Sequence, residues 1–326
     1  MKIVITGGCG FLGRRLALLL LEKGCASEPL DELVLFDNAP SALPLPDDKR
    51  VRLVTGDIAD RATVTQLIAP GTDAIFHLAA IVSGQAEADP DLGYRVNLDG
   101  TRAVLDACRA LGSRPRVIFA SSLAVYGGML PPAVGDDTAL TPQSSYGTQK
   151  AIGELLVNDY SRKGFVDGRA LRLPTVVVRP GLPNRAASTF ASSIIREPLT
   201  GKDAVCPVSP DTVMALASPR RIVASLAHAL DIPGDAIGLN RTLQLPGYSV
   251  SVGEMAYALR RAGGDSAYKR IAWQPDATIQ AIVGSWPREL IAPRAEALGF
   301  QPDAGIDEAI QFFIEDDFTL QQALVG

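Results

Sequence analysis

Five short runs organise the first 122 residues: "KIVIT" (2–6), "ELVLFD" (32–37), "VRLVTGD" (51–57), "DAIFHLAA" (73–80) and "RVIFASS" (116–122). They are rich in Val, Ile, Leu and Phe at odd and even positions alike. A strand with one wet face alternates apolar and polar residues, so runs of this kind need cover on both faces. Helical stretches between them supply it, as in parallel strands joined by crossover helices. The pattern predicts an α/β fold built on a doubly wound parallel sheet. Helices are expected at 11–23, stopped by Gly24, at about 61–69, around 91–111 and at 145–163, with a further strand over "RALRLPTVVVRPG" (169–181).

Past Gly181 the alternation breaks. Residues 182–214 are rich in Pro, Ser, Ala and Arg around one helix, "ASTFASSIIREPL". A helix near 218–230 and a strand "NRTLQLPG" (240–247) return to the sheet. Ser251 with Glu254 reads as a capping box opening a helix to about Ala262, and "DEAIQFFIEDD" as a terminal helix. The expected division is therefore 1–181 plus about 215–250 for the sheet domain. A small, mainly helical C-terminal substrate lobe would take about 182–214 plus 251–326.

Composition narrows the function classes. With 47% apolar and 21% charged residues the 326-residue chain is an ordinary globular one, and a net charge of -5 without a basic patch argues against a nucleic-acid partner. Cys9, Cys25, Cys108 and Cys206 are scattered without metal or disulfide spacing. The two histidines, His77 and His228, read as packed or capping side chains, so no metal is expected. "MKIVITGG" runs straight into strand and turn with no secretory leader, and "LALLLLEKG" is too short to span a bilayer. A cytoplasmic protein without a membrane partner is expected.

"TGGCGFLG" sets Gly7, Gly10, Phe11, Leu12 and Gly13 between the first strand and the first helix. Glycines there permit a tight turn, a close approach of backbone to a pyrophosphate and a helix packed hard on its strand, with the helix N-terminus facing the anion. Asp37, followed by Asn38, closes the second strand, where an acid accepts hydrogen bonds from the adenosine ribose and repels a 2′-phosphate. This makes the sheet Rossmann-type and NAD the expected cofactor, with NADP disfavoured. Asp57, beside Ile58, could reach the adenine edge or simply cap its strand, and Leu78, Ala79 and Ala80 line the carboxyl edge where ligands of such sheets lie.

In "TPQSSYGTQKAIGELLV" Tyr146 and Lys150 are four apart on a helix and point the same way. A neighbouring ammonium favours the tyrosinate, moving a phenol down from about 10 and fitting it for acid–base work. Ser122, at the mouth of a strand, could hold a substrate oxygen beside that phenol or serve as a turn cap.

Taken with "HLAA", Asn97 in "RVNLDGT", "SSLAVYG" and "LRLPTVVVRPG", these motifs resemble the extended short-chain dehydrogenase/reductase superfamily, which includes nucleotide-sugar epimerases and dehydratases. The resemblance runs over essentially the whole chain. It implies Ser122, Tyr146 and Lys150 as the catalytic set, with Tyr146 and Lys150 also contacting the cofactor. It adds Asn97 to the cofactor site, places Pro174, Thr175 and Val176 beside the nicotinamide, and implies a possible homodimer through helices 91–111 and 145–163. Within the superfamily, "RPGLPNRAASTFASSIIREPLTGKDAVCPV", "SPRR" and "GSWPR" are similar to members that oxidise the C2 hydroxyl of a four-carbon sugar acid. Sugar-nucleotide members usually carry "HV-x-D" where this chain has "LASPRRIV". A sugar-acid substrate needs a cation for its carboxylate. Arg179, Arg185, Arg196, Arg220 and Arg221 are the candidates, Arg179 and Arg196 the preferred ones, with Asn184 and Ser83 as hydroxyl partners or plain loop polarity. The rival readings are a UDP-sugar 4-epimerase that retains its NAD and, more remotely, a dinucleotide-sensing regulator, which would need no base.

Overall fold

In the computed structural model, residues 1–24, 28–41, 45–182 and 187–325 are described; Cys25, Asn184 and Arg185 lie outside them. The first half alternates as β1 (Lys2–Thr6), α1 (Phe11–Lys23), β2 (Glu32–Asp37), β3 (Val51–Thr55), α2 (Arg61–Leu67), β4 (Ala74–His77), α3 (Ser83–Ala88) and α4 (Pro90–Gly93). A π-helical segment, Tyr94–Asp99, leads into α5 (Gly100–Leu111), then β5 (Arg116–Ser122), α6 (Ser145–Arg162), β6 (Asp167–Leu173), β7 (Thr175–Val176) and α7 (Thr189–Leu199). The remainder comprises β8 (Ala204–Cys206), β9 (Val213–Ala217), α8 (Pro219–Asp231), α9 (Gly234–Ile237), β10 (Thr242–Gln244), β11 (Tyr248–Ser251), α10 (Val252–Tyr268) and β12 (Ile271–Trp273). Four helices finish it: α11 (Ala277–Gly284), α12 (Pro293–Ala297), α13 (Ile306–Asp316) and α14 (Phe318–Val325).

Seven strands form one parallel sheet in the order β10-β6-β5-β4-β1-β2-β3. The order reverses direction between β1 and β4, and a crevice for a ligand opens at the carboxyl ends of strands at such a switch point. One face of the sheet packs Leu16, Leu20, Leu226 and Leu230 of α1 and α8 on Ile3, Leu33 and Phe76. The other packs Val64, Val104 and Val157 of α2, α5 and α6 on Val4, Val34 and Phe119. Both parities of each strand are thus used, as the apolar runs require. Gly24, at φ 71° with its N–H donating to the Leu20 carbonyl, ends α1 where the sequence places the stop.

A further core gathers α7, α10 and α13 side chains, among them Phe190, Ile194, Met255, Leu259 and Phe313. Here the structure departs from expectation. The strand expected across 169–181 is cut at Pro174, which has no N–H for the ladder; β6 stays in the large sheet while β7 joins β9 and β11 in a second one. The expected 91–111 helix is interrupted by the π-helical segment. The helix opened by Ser251, whose hydroxyl accepts from Glu254 N, continues past Ala262 to Tyr268 across a break at Gly264.

A clasp joins the two ends of the chain. Arg15 of α1 pairs with Asp316 and donates to Asp317 at 2.7 Å, and its guanidinium carbon lies 5.6 Å over the Phe11 ring. Four residues on, the buried Gln321 accepts from Gly181 N at 2.7 Å. Among the described residues no helix is long and apolar enough to cross a membrane.

Candidate active site

Gly7 has φ 71°, and a Cβ there would sit 2.8 Å from Ala79 N, so only glycine lets β1 turn against the end of β4. A Cβ on Gly13 would overlap the Gly7 carbonyl oxygen, which is why α1 can press onto the turn. Gly10, the N-cap of α1, offers no side chain, leaving the first N–H groups of the helix to face an anion. Asp37 closes the turn from β2: its carboxylate accepts from Cys9 N at 3.0 Å and Asn38 N at 2.8 Å. These features fit a dinucleotide: a cradle that a Cβ would fill, a helix N-terminus for the pyrophosphate and a carboxylate beside it.

A cleft of about 370 Å³ starts at this turn. Phe11, Leu12, Leu78 and Ala80 line one part of it, and Tyr146, Lys150, Val176, Arg179 and Arg196 line the rest. The Tyr146 phenol hydrogen-bonds the Ser122 side chain. Burial pushes the phenol up to about 12, and the Ser122 hydrogen bond and the Arg179 charge oppose that rise. Ser122 also caps the turn after β5 by accepting from Ala124 N at 3.1 Å, the capping alternative expected for it. Lys150 is buried; its Nζ donates to the Ala120 carbonyl at 2.7 Å and lies 5.6 Å from the centroid of the Tyr146 ring. Burial pulls this ammonium down to about 8, with Glu154 acting against it. Arg179 is thus a cation that opposes the burial of the phenol, in addition to the Lys150 to which the sequence points.

The two preferred arginines differ. Arg196 is committed: it makes two bonds to Glu197, at 2.6 and 3.1 Å, and donates to the Arg179 carbonyl at 2.7 Å. Arg179 is half-buried, its backbone N–H held by Ser192 Oγ at 3.1 Å, and among the described residues none of the hydrogen bonds or ion pairs uses its guanidinium. Arg220 is spent on Glu315 and Asp316.

Several other expected residues do not converge on the cleft. Asn97, carried by the π-helical segment, bonds Ile81 N and O and donates to Gln149 Oε1 at 2.8 Å, so it braces the helix of Lys150. Asp57 is exposed, accepts from Ala59 N and pairs with Arg95 at 2.5 Å; the Ile58 side chain enters the core. Ser83 opens α3, and Pro174 and Thr175 flank the bend that delivers Val176 to the cleft. His77 is a packed histidine: Thr101 Oγ1 donates to the Asn97 carbonyl, so it accepts from Nε2–H, leaving Nδ1 to accept from Thr6 at 2.7 Å. Burial holds this ring neutral, down to about 3. Sequence reasoning missed Glu154, although it continues the four-residue spacing of Tyr146 and Lys150.

The NAD dependent epimerase/dehydratase family model matches residues 3–224. The D-erythronate dehydrogenase of Cupriavidus necator is 57% identical over 97% of this chain and 98% of its own length. That of Haemophilus influenzae is 50% identical over 97% of this chain and 100% of its own. The crystal structure of a nucleoside-diphosphate-sugar epimerase from Agrobacterium tumefaciens is similar at a TM-score of 0.93 and 43% identity, covering 98% of this chain and 95% of that one. The parallel sheet agrees with these likenesses, and the chain belongs to the NAD dependent epimerase/dehydratase family.

Proposed function

We propose that this protein is an NAD-dependent dehydrogenase that oxidises the C2 hydroxyl of D-erythronate to the 2-oxo acid. The observation that carries the reading is the Arg179 guanidinium, without a partner among the described residues, acting on the Tyr146 phenol across the cleft. A carboxylate bound to Arg179 brings the carbon next to it, with its hydroxyl, towards that phenol, which selects a 2-hydroxy acid. Two relatives named D-erythronate dehydrogenase support the four-carbon acid.

Gly7, Gly10, Gly13 and Asp37 would hold NAD, which would supply the hydride acceptor. Tyr146, as tyrosinate, takes the hydroxyl proton, and Ser122 donates to the oxygen as it becomes a carbonyl. Lys150 keeps a positive charge under the phenol and is tied to the strand by Ala120. Asp37 disfavours the extra phosphate of NADP. The domain division proposed is the one expected from the sequence, with α7 contributing Arg196 and Ser192 to the cleft. A homodimer through α5 and α6 is supported by the exposed Leu155 on α6, and the cytoplasm is the proposed location.

NADH formation measured across three- to six-carbon aldonates and uronates, with UDP-sugars alongside, tests the reading. D-Erythronate with NAD should give the highest kcat/KM, and NADP a much lower one. Turnover of UDP-sugars without net NADH would replace this function with epimerisation.

A further inference from the structure

Three side chains one turn apart on α6 address three consecutive residues at the end of β5. Tyr146 bonds Ser122, Lys150 bonds the Ala120 carbonyl at 2.7 Å, and Glu154 accepts from Ser121 Oγ at 2.5 Å. Ala120 and Ser121 both line the cleft. Glu154 is 2% exposed, and a carboxylate so deep in the protein persists only when paired and fully hydrogen-bonded. Arg172 of β6 provides the pair, donating Nη2 to Oε2 at 2.8 Å and Nε to Oε1 at 3.0 Å. It also donates to the Tyr126 hydroxyl at 2.6 Å, and that hydroxyl donates to the Gly135 carbonyl at 2.8 Å.

From this ladder we infer that Glu154 is a positioning residue of the reaction: it pins Ser121, and so the adjoining Ser122 hydroxyl, while its negative charge one turn from Lys150 keeps that side chain an ammonium. The inference rests on the dehydrogenase reading of the site.

The other ionisable groups around Lys150 do not supply this charge. His77 of β4 is neutral, and Arg172 of β6 and Arg179, beyond β7, are cations, which cannot favour a further positive charge on Lys150. Phe119 offers only its ring, 4.7 Å from the Lys150 Nζ. Burial lowers Lys150 to about 8 even with Glu154, the group that resists it, in place. Without that carboxylate the ammonium should be lost at still lower pH.

The test is a pH titration of the Lys150 side chain by NMR in carbon-13 lysine-labelled protein without NAD or substrate, the signal assigned by its loss in Lys150→Arg. In Glu154→Gln the midpoint should fall by roughly one pH unit, and in Glu154→Asp it should return towards the starting value. If Glu154→Gln does not fold, Glu154→Gln/Arg172→Gln, which removes both charges of the pair, should show a smaller fall in the same direction, because a cation leaves with the carboxylate. An unmoved midpoint overturns the inference. Ser121→Ala, which keeps both charges paired, should lower kcat about 10-fold with NAD affinity unchanged; unaltered kcat removes the pinning role. Because the titration needs neither substrate nor cofactor, it decides on Glu154 even if no sugar acid is turned over.

Discussion

At Tyr146 burial opposes ionisation while the Ser122 hydroxyl and the Arg179 charge favour it. Tyr146→Phe removes the base and leaves the glycine turn intact, so kcat should fall about 10³-fold with NAD affinity unchanged by calorimetric titration. Arg179→Gln should act twice. Loss of the carboxylate partner should raise KM for D-erythronate by about 10- to 100-fold. Loss of the cation should raise the phenol further, so the acid limb of kcat against pH, where the tyrosinate forms, should move to higher pH. A rise in KM with no movement of that limb would separate substrate capture from activation of the base. That Tyr146 and Lys150 share a helix face and that Ser122 ends a strand was legible, because helix geometry and strand-end signals fix those placements. The difference between Arg179 and Arg196 was not, since it depends on Glu197 lying within reach of one guanidinium and not of the other.

Among the elements, the β1–α1 turn is where backbone shape decides function. Gly7→Ala would place a side chain at positive φ and against Ala79 N, and single left-handed residues cost about 1–2 kcal/mol before any clash. NAD binding should weaken at least about 10-fold, with a lower Tm. Binding at the unaltered affinity would show that the turn does not cradle the dinucleotide. Elements with strong local signals were readable: α1 between Gly10 and Gly24, and the two-sided apolar strands. Strands of two or three residues such as β7, β8 and β12 carry too little pattern to be seen, and the π-helical segment leaves no mark because its wider hydrogen bonding alters no residue preference.

Across the whole molecule, burial raises the Asp317 carboxyl from 3.8 to about 6 despite Arg15 beside it. A folded-state value above the unfolded one means the protonated form favours the fold. That stability is fully present below about pH 4 and is lost as pH rises through 6, worth about 3 kcal/mol by linkage. Asp317→Asn, which mimics the protonated form, should therefore raise Tm relative to the parent at pH 7.5, the gain shrinking to nothing near pH 4. An equal change at both pH values would exclude this carboxyl as the source.

The clasp has one more consequence. Arg15 waits 302 residues for Asp317, and Gly181 waits 140 for Gln321, so a nascent polypeptide makes its glycine turn early and closes the clasp last. A stop codon or a protease cut shortly before residue 317 would leave every cleft-lining residue in the product, yet take the Asp317 partner from Arg15 on the helix that carries Phe11. Damage that reads as trivial along the gene is, in space, one contact from the nucleotide cradle.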